Sequence, residues 1–133
     1  IVEPSNCINE LERMTNCAQE ILKKLKLPFK VVALSTGDMG FSAEKTFDIE
    51  TWIPFEKKFR EISSCSSCGS FQAKRMKTKF KDGIGNDFIG TLNGSGLATG
   101  RLMISLMENY QNADGTITIP EVLKKYMDNI EKI

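Results

Sequence analysis

Residues 91–110 read TLNGSGLATGRLMISLMENY, a short polar strand end followed by a glycine-rich turn and a long apolar helix. Three glycines fall within seven residues of this stretch, at Gly94, Gly96 and Gly100. Glycine permits a positive φ and the close approach of a neighbour, and we expect both at this turn. From Leu97 onward the apolar residues lie almost all round the helix, which predicts that it is buried. Arg101 lies in its first turns, and a buried guanidinium requires an anionic partner, for which a bound ligand is a candidate.

The glycine pattern is GxGxxxG, which differs by one residue from the dinucleotide-binding fingerprint and lacks the GK[ST] of a P-loop. A tight strand-to-helix turn can use the same glycines without binding anything. The pattern by itself therefore leaves two interpretations open, a structural turn and a ligand-binding turn.

The composition is that of an ordinary globular domain. Of the 133 residues, 41% are hydrophobic and 26% are charged, which is enough for one domain with its own core. The net charge is only +1, so any contact with RNA must be local. No apolar run approaches the roughly 18 residues of a membrane span, and no signal-peptide pattern is present, so we expect a soluble protein of a reducing compartment. The opening IVEPS lacks an initiator Met, which indicates processing or a trimmed sequence.

Hydrophobic spacing predicts most of the secondary structure. Residues 7–25 form an amphipathic helix, and residues 29–36 (FKVVALST) have the composition of a buried central strand. Near the end, residues 116–119 predict a short strand, Pro120 opens a final helix, and residues 128–133 are expected to fray. The predicted fold class is α+β, an antiparallel β-sheet of roughly four strands flanked by helices, one of them the apolar helix after the glycine-rich turn.

Two further strands form a hairpin, at residues 46–53 and 58–66. Counting from the turn places Glu50 nearly opposite Glu61, and like charges that face each other across a hairpin are unfavourable. Either one of them points to solvent across a bulge, or a divalent metal or a bound ammonium group lies between them. Glu61 and Ser64 are three residues apart and fall on opposite faces of a regular strand, so a bulge is needed to bring both to one ion.

The four cysteines do not form a convincing zinc set. Cys65 and Cys68 have the spacing of a metal or redox pair, but Cys7 and Cys17 lie apart on the first predicted helix and the chain contains no histidine. We expect structural or free thiols.

A basic run follows the hairpin and leaves its role open. It is either a solvated face or connecting loop, or a contact to an RNA backbone. After it, residues 81–86 (KDGIGN) predict a flexible turn. The residues of the run are Lys74, Arg75, Lys77, Lys79 and Lys81, with Phe71 and Phe80 nearby.

Several strings resemble one enzyme family. TLNGSGLATGR, followed by ENYQNADGTITIPEVLKKYM, closely resembles the third signature motif and C-terminal end of seryl-tRNA synthetase, a class II aminoacyl-tRNA synthetase. TGDMGFSAEKTFDIETWIP and FREISSCSSCGSFQAKRM resemble the corresponding segments of bacterial-type and organellar members, in the same order and at compatible spacing. The resemblance runs from about Glu10 to the C-terminus. It implies the class II catalytic fold.

The resemblance implies an ATP site with Mg²⁺. In the family the EISS segment contacts ATP and its magnesium, which implies Glu61 and Ser64, with Ile62 and Ser63 as flanking backbone. Arg101 corresponds to the arginine of motif 3, which stacks on adenine and pairs with the terminal phosphate. Arg101 and Glu61 are therefore the implied catalytic residues.

The resemblance also implies a serine pocket and a two-step reaction. Ser95 corresponds to a pocket residue, with Asn93 beside it. The parent enzyme would join L-serine to ATP as seryl-adenylate and transfer the serine to tRNA(Ser), as a homodimer in the cytoplasm or an organelle. Many members have His just before TLN, where this chain has Gly90.

In the family order, motif 1, motif 2 and the tRNA-binding arm all precede residue 1. Residues 1–133 are therefore interpreted as a single domain, the C-terminal part of the catalytic core, and the isolated chain is expected to be inactive. The alternative is a non-catalytic, synthetase-derived module that binds a nucleotide or a partner.

Overall fold

The computed structural model describes residues 1–81 and 86–133. Within these ranges the first predicted helix, the long hairpin and the helix after the glycine-rich turn are all confirmed. In chain order, the helices and strands are α1 (Cys7–Lys24), β1 (Phe29–Ala33), β2 (Lys45–Ile53), β3 (Lys58–Ser67), α2 (Phe71–Met76), β4 (Lys79–Lys81), β5 (Asn86–Phe88), β6 (Leu92–Gly94), α3 (Thr99–Tyr110) and α4 (Glu121–Lys124).

The main sheet has four antiparallel strands in the order β1-β2-β3-β6, as the α+β prediction requires. Both α1 and α3 pack against β2 and β3. They share one core cluster on one face of the sheet, which includes Leu22 of α1, Ile49 of β2 and Ile62 of β3, with Leu106 of α3 packed against it. The opposite face, called the open face below, carries half-buried or exposed side chains: Lys30, Asp48, Glu50, Glu61, Ser64 and Asn93.

The strand predicted at residues 29–36 is shorter and lies elsewhere in the sheet. β1 ends at Ala33 and is an edge strand paired only with β2, and Val31 is 39% exposed, so the prediction of a buried central strand was wrong. An apolar β-branched run is compatible with an edge strand as well as a central strand. The pattern indicates that one face of the strand is covered, but not whether a strand pairs on each side of it.

α3 is not buried all round, as its sequence had predicted. Its sheet side holds the buried Ser105, whose hydroxyl lies 3.0 Å from Thr51 Oγ1 and donates to the Trp52 carbonyl at 3.2 Å. Its other side is exposed, with Met103 62% accessible and Met107 also exposed. The apolar pattern therefore corresponds to one packed side and one uncovered side within the described chain.

The C-terminal residues are hydrogen-bonded to the segment that follows α3. Ile117 and Ile133 exchange main-chain hydrogen bonds of 2.8 and 3.1 Å, so the prediction that residues 128–133 fray was wrong. Residues 116–119 form isolated bridges and no regular strand, and Pro120 caps α4 without being its first helical residue.

Tyr110 joins the C-terminal ends of α3 and α1. Its hydroxyl donates to the Leu25 carbonyl at 2.7 Å, and burial raises the pKa of Tyr110 above 10.0. Because the raised pKa favours the protonated form in the folded state, this stabilisation is present below about pH 10 and is lost as the pH rises through the folded-state pKa.

Replacing Tyr110 by phenylalanine is expected to lower the free energy of unfolding by about 1 kcal/mol, because it removes one hydrogen bond and leaves the Leu25 carbonyl without its partner. Urea unfolding at neutral pH measures the difference. Tyr126→Phe is the matched control, since Tyr126 is 74% exposed, and it is expected to change stability little. Equal effects of the two substitutions would contradict a specific role for the Tyr110 hydrogen bond.

Candidate active site on the open face of the sheet

A β-bulge in β3 decides which side chains share the open face. Ile49 pairs with Ser63, but Glu50 pairs with Glu61, so Ile62 is the extra residue on β3. Residues paired across antiparallel strands have side chains on the same face, and a shift of one residue changes the face. Glu61 therefore lies on the open face with Glu50, and by the same rule Ser64, which pairs with Asp48, lies there too. The structure contains the bulge that a common Glu61–Ser64 site requires.

The two residues between Glu61 and Ser64 turn the other way. Ile62 and Ser63 are buried, and the Ser63 hydroxyl donates to the Ser95 carbonyl at 2.7 Å. Only the main chain of Ile62 and Ser63 is therefore available to a ligand on the open face.

Ser95 continues the pairing of β6 along β3. Its main-chain N–H donates to the Ser64 carbonyl at 3.2 Å, and its hydroxyl accepts from the Ser64 N–H at 3.1 Å. Ser95 is exposed, and a hydroxyl that accepts one bond still has a proton to donate. The predicted ion-binding and serine-binding residues are thus joined directly.

The glycine-rich turn differs from its prediction in one respect. None of its three glycines has a positive φ; Leu97 does, at 94°. Leu97 is buried in the core cluster, and the next N–H, that of Ala98, donates to the Ile62 carbonyl at 2.7 Å. Burial and this bond hold a conformation that is unfavourable for leucine. A Cβ on Gly96 or Gly100 would meet nothing within 4 Å, so there is open space beside the turn.

Arg101 is exposed, so the prediction of a buried guanidinium was wrong. Its Nη1 donates to the main-chain carbonyl of Glu61 at 2.6 Å, at a part of β3 beyond its pairing with β6. A guanidinium has five N–H donors in one plane, so most remain available for a ligand. A cavity of about 470 Å³ lies here, lined by Ile53, Glu56, Arg60, Glu61, Arg101 and Ile104.

The facing carboxylates have different surroundings. Lys30 of β1 forms an ion pair with Glu50, 2.8 Å from Nζ to Oε2, and so offsets the repulsion between Glu50 and Glu61. Within residues 1–81 and 86–133, the Glu61 carboxylate has no hydrogen bond or ion pair of its own. Asp48, opposite Ser64, has a buried Oδ1 that lacks a partner in the same part of the chain. The sequence pattern missed Lys30, because its place opposite Glu50 appears only once the β1–β2 register is known.

These donors are all oxygens, which suits Mg²⁺. No described group of three or more His, Cys, Asp or Glu side chains could hold a metal ion without other ligands. Magnesium, however, commonly takes one or two carboxylates together with phosphate oxygens and water. Glu61 and Ser64 fit that partial donor set.

Asn93 lies at the other end of the open face. It pairs with Ser66 across the β3–β6 ladder and is exposed. Its Nδ2 donates to Cys68 Sγ at 3.6 Å. The predicted pair Asn93 and Ser95 therefore lies along one edge, beside β3.

A family model described as the tRNA synthetase class II core domain (G, H, P, S and T) matches residues 1–110. The chain belongs to this family. It is 63% identical to the serine–tRNA ligase of Pelagibacter ubique over 134 aligned residues, which cover all of this chain and 32% of that protein. The serine–tRNA ligase of Mesorhizobium japonicum is 57% identical, again over the whole chain. The chain spans about a third of the length of the curated relatives it matches.

Solved structures agree with the class II fold. The seryl-tRNA synthetase of Pyrococcus horikoshii, complexed with ATP, matches 99% of this chain and 30% of its own with a TM-score of 0.94 and 37% identity. The cytoplasmic serine–tRNA ligase of Naegleria fowleri, in complex with AMP, matches with a TM-score of 0.90 and 31% identity. The predicted family and fold class are thus confirmed.

The cysteines of this class II synthetase chain are free thiols. Cys65 Sγ lies next to Gly94, because an added Cβ on Gly94 would meet it at 2.9 Å. The same Cβ would meet Met14 of α1 at 3.1 Å, so this sulfur is on the helix side. Cys68 contacts Asn93 of the open face. The two sulfurs therefore point to different faces and cannot share one tetrahedral ion without rearrangement.

Purified protein is accordingly expected to carry far less than one zinc per chain, roughly 0.1 or below, since the described residues offer no four-ligand set. Elemental analysis after dialysis against metal-free buffer measures this. Stoichiometric zinc that survives dialysis would overturn the interpretation of the cysteines as thiols without a metal.

Most of the basic run belongs to regular elements, and Lys77 lies in the short connection between α2 and β4. Lys74 and Arg75 lie in α2, and Lys79–Lys81 forms β4, which pairs with β5. Arg75 lies over the ring of Phe71, 3.5 Å from its centroid. The flexible turn predicted at residues 81–86 falls largely outside the described residues. A solvated face and an RNA contact both remain open for this run.

None of the described helices is long and apolar enough to cross a membrane.

Proposed function

We propose that this chain is part of the catalytic core of a seryl-tRNA synthetase, which activates L-serine with ATP to seryl-adenylate and transfers it to tRNA(Ser). The observation that carries the proposal is the bulge at Ile62, which brings Glu61 and Ser64 to one face of the sheet. Arg101 and Ser95 are bonded directly to the same segment. The similar proteins named above are serine–tRNA ligases, and one of the similar solved structures is complexed with ATP.

The ATP end of the site would be formed by Arg101 and the EISS segment. The guanidinium offers a planar face for stacking on adenine and a fork of donors for the terminal phosphate. The open space at Gly96 and Gly100 lies next to it and suits a planar base. Ile62 and Ser63 would contribute main-chain groups only, since their side chains are buried on the helix side.

Glu61 and Ser64 would hold the Mg²⁺ that accompanies ATP. A bound Mg²⁺ neutralises phosphate charge during transfer and orients the triphosphate. The Glu61 carboxylate has no ion pair within the described residues, where Lys30 pairs with Glu50, and it is suited to that cation.

Asn93 and Ser95 would bind the serine side chain. A pocket that hydrogen-bonds a hydroxyl rejects the analogue that lacks it, because the polar groups of the pocket are then left unpaired. Both residues are exposed in the described chain, so the remainder of the longer protein would complete and close the pocket.

The place of this chain in the longer protein is also part of the proposal. Residues 1–133 would be the C-terminal part of the catalytic core, containing motif 3. Motifs 1 and 2 and the tRNA-binding arm would lie in the remaining two thirds, and the full enzyme would be a homodimer of the cytoplasm or an organelle.

Exchange of labelled pyrophosphate into ATP by the full-length protein tests the function. Serine is expected to support exchange with a kcat/KM on the order of a thousandfold or more above alanine, because alanine leaves the pocket unpaired. Exchange with another amino acid and not with serine would overturn the assignment. ATP binding without exchange for any amino acid would instead indicate a non-catalytic nucleotide-binding module.

A further inference from the structure

Cys68 is buried directly behind a residue of the proposed serine pocket. It follows the last residue of β3, is only 1% exposed, and its N–H donates to the Thr91 carbonyl at 2.9 Å. Its Sγ accepts from Asn93 Nδ2 at 3.6 Å and lies 3.8 Å from the Ser42 hydroxyl. The thiol therefore lies between Ser42, in the segment that joins β1 to β2, and the exposed Asn93 of β6.

This contact restrains the side-chain torsion χ2 of Asn93, which strand pairing does not fix. Pairing with Ser66 fixes the main chain of Asn93, but rotation about χ2 of asparagine is broad and would exchange the amide oxygen and nitrogen. One N–H directed at a buried sulfur favours a single orientation. The amide oxygen and the second N–H then face the open side, where a hydroxyl can donate to the one and accept from the other.

We propose that Cys68 is a positioning residue for the serine pocket, which orients the Asn93 amide without touching the substrate. The inference rests on the proposed function, since it takes Asn93 as a serine ligand. It gives the second cysteine of the Cys-x-x-Cys pair a role that neither metal binding nor disulfide formation provides.

Cys65 supplies a matched control for packing. It is also 1% exposed, it lies three residues earlier, and its Sγ is 3.7 Å from the Ser63 hydroxyl. Its sulfur lies beside Gly94, and the Asn93 amide donates to Cys68 Sγ and not to this sulfur. Truncation of either cysteine removes one buried sulfur, but only truncation of Cys68 removes the acceptor for the amide.

The test measures serine-dependent pyrophosphate exchange by the full-length protein carrying Cys68→Ala, Cys68→Ser or Cys65→Ala. Loss of one modest hydrogen bond predicts that Cys68→Ala raises the KM for serine about fivefold while the KM for ATP stays within about twofold. Cys65→Ala is expected to leave the serine KM within about twofold of the wild type. Cys68→Ser keeps an acceptor near the amide and is expected to recover most of the loss.

Two comparisons separate positioning from damage to the fold. In an Asn93→Ala background, Cys68→Ala is expected to cause no further rise in the serine KM, because the group it orients is gone. Equal rises in the serine KM for Cys65→Ala and Cys68→Ala, or an equal rise for ATP, would overturn the inference. If Cys68→Ala does not fold, Cys68→Ser decides, since a serine KM as high as that of Asn93→Ala would contradict orientation by an acceptor. A wild-type protein without serine-dependent exchange would refute the proposed function itself, which is a separate result.

Discussion

The 133 residues on their own are expected to show no serine-dependent exchange of pyrophosphate into ATP, more than about a thousandfold below the full-length enzyme. On the described open face Lys30 is already paired with Glu50, so Arg101, which donates to the neutral Glu61 carbonyl, supplies most of the positive charge that the site offers to a triphosphate. The family resemblance assigns the contact with the α-phosphate to an arginine of motif 2, which the proposed assignment puts outside these residues. Stabilisation of the transferring phosphate would therefore be lost.

The measurement uses micromolar protein with ATP, serine and labelled pyrophosphate, alongside the full-length enzyme. Far-UV circular dichroism and urea unfolding of the isolated chain distinguish an incomplete site from an unfolded one. Turnover close to that of the full-length enzyme would show that these residues hold a complete activation site, and the assignment to one part of a catalytic core would fail.

Replacing Arg101 by lysine in the full-length enzyme is expected to slow adenylate formation about a hundredfold, equivalent to about 3 kcal/mol of transition-state stabilisation. Lysine keeps the charge, and its ammonium could still donate to the Glu61 carbonyl. It cannot stack on a purine or present a planar fork of donors to a phosphate. The loss should therefore appear in the step that involves the terminal phosphate of ATP.

Pre-steady-state kinetics separate the two steps of the reaction. Transfer from preformed seryl-adenylate, which has already lost the terminal phosphates, should be affected much less than its formation. Arg13→Lys is the control, because Arg13 is an exposed arginine of α1 that pairs with Glu10. Normal activation with slow transfer to tRNA would place Arg101 against the acceptor end of the RNA and contradict the ATP assignment.

Local pattern was sufficient to predict the hairpin, and the hairpin carries much of the candidate site. The turn at residues 54–57 sets the register, so the approach of Glu50 to Glu61 could be counted from the sequence. The need for a bulge also followed from the spacing of Glu61 and Ser64. Whether the bulge exists could not be predicted, because it depends on Ile62 being drawn into a core built from distant residues.

The features that were missed depend on contacts between remote segments. The edge position of β1, the Lys30–Glu50 pair and the Asn93–Cys68 contact all require the strand order of the sheet. The exposure of one side of α3 was missed, because the apolar pattern shows which side chains could be buried. It does not show whether another part of the chain packs over them. The positive φ fell on Leu97 and not on a glycine, because tertiary burial of one side chain outweighed local preference.

The bulge changes the side-chain alternation of β3 at Ile62. Every second residue from Glu61 toward Lys58 lies on the open face. Every second residue from Glu61 toward Ser67 lies on the helix side, because the bulge at Ile62 changes the alternation. The number of residues between Glu61 and Ser64 is therefore itself a chemical property of the segment, like the identity of its side chains. If the same residues paired without the bulge, the carboxylate and the hydroxyl would lie on opposite sides of the sheet, with every charge and every functional group still present in the sequence. Loss of one residue between them would instead remove the need for a bulge, because two groups that are two residues apart share one face of a regular strand.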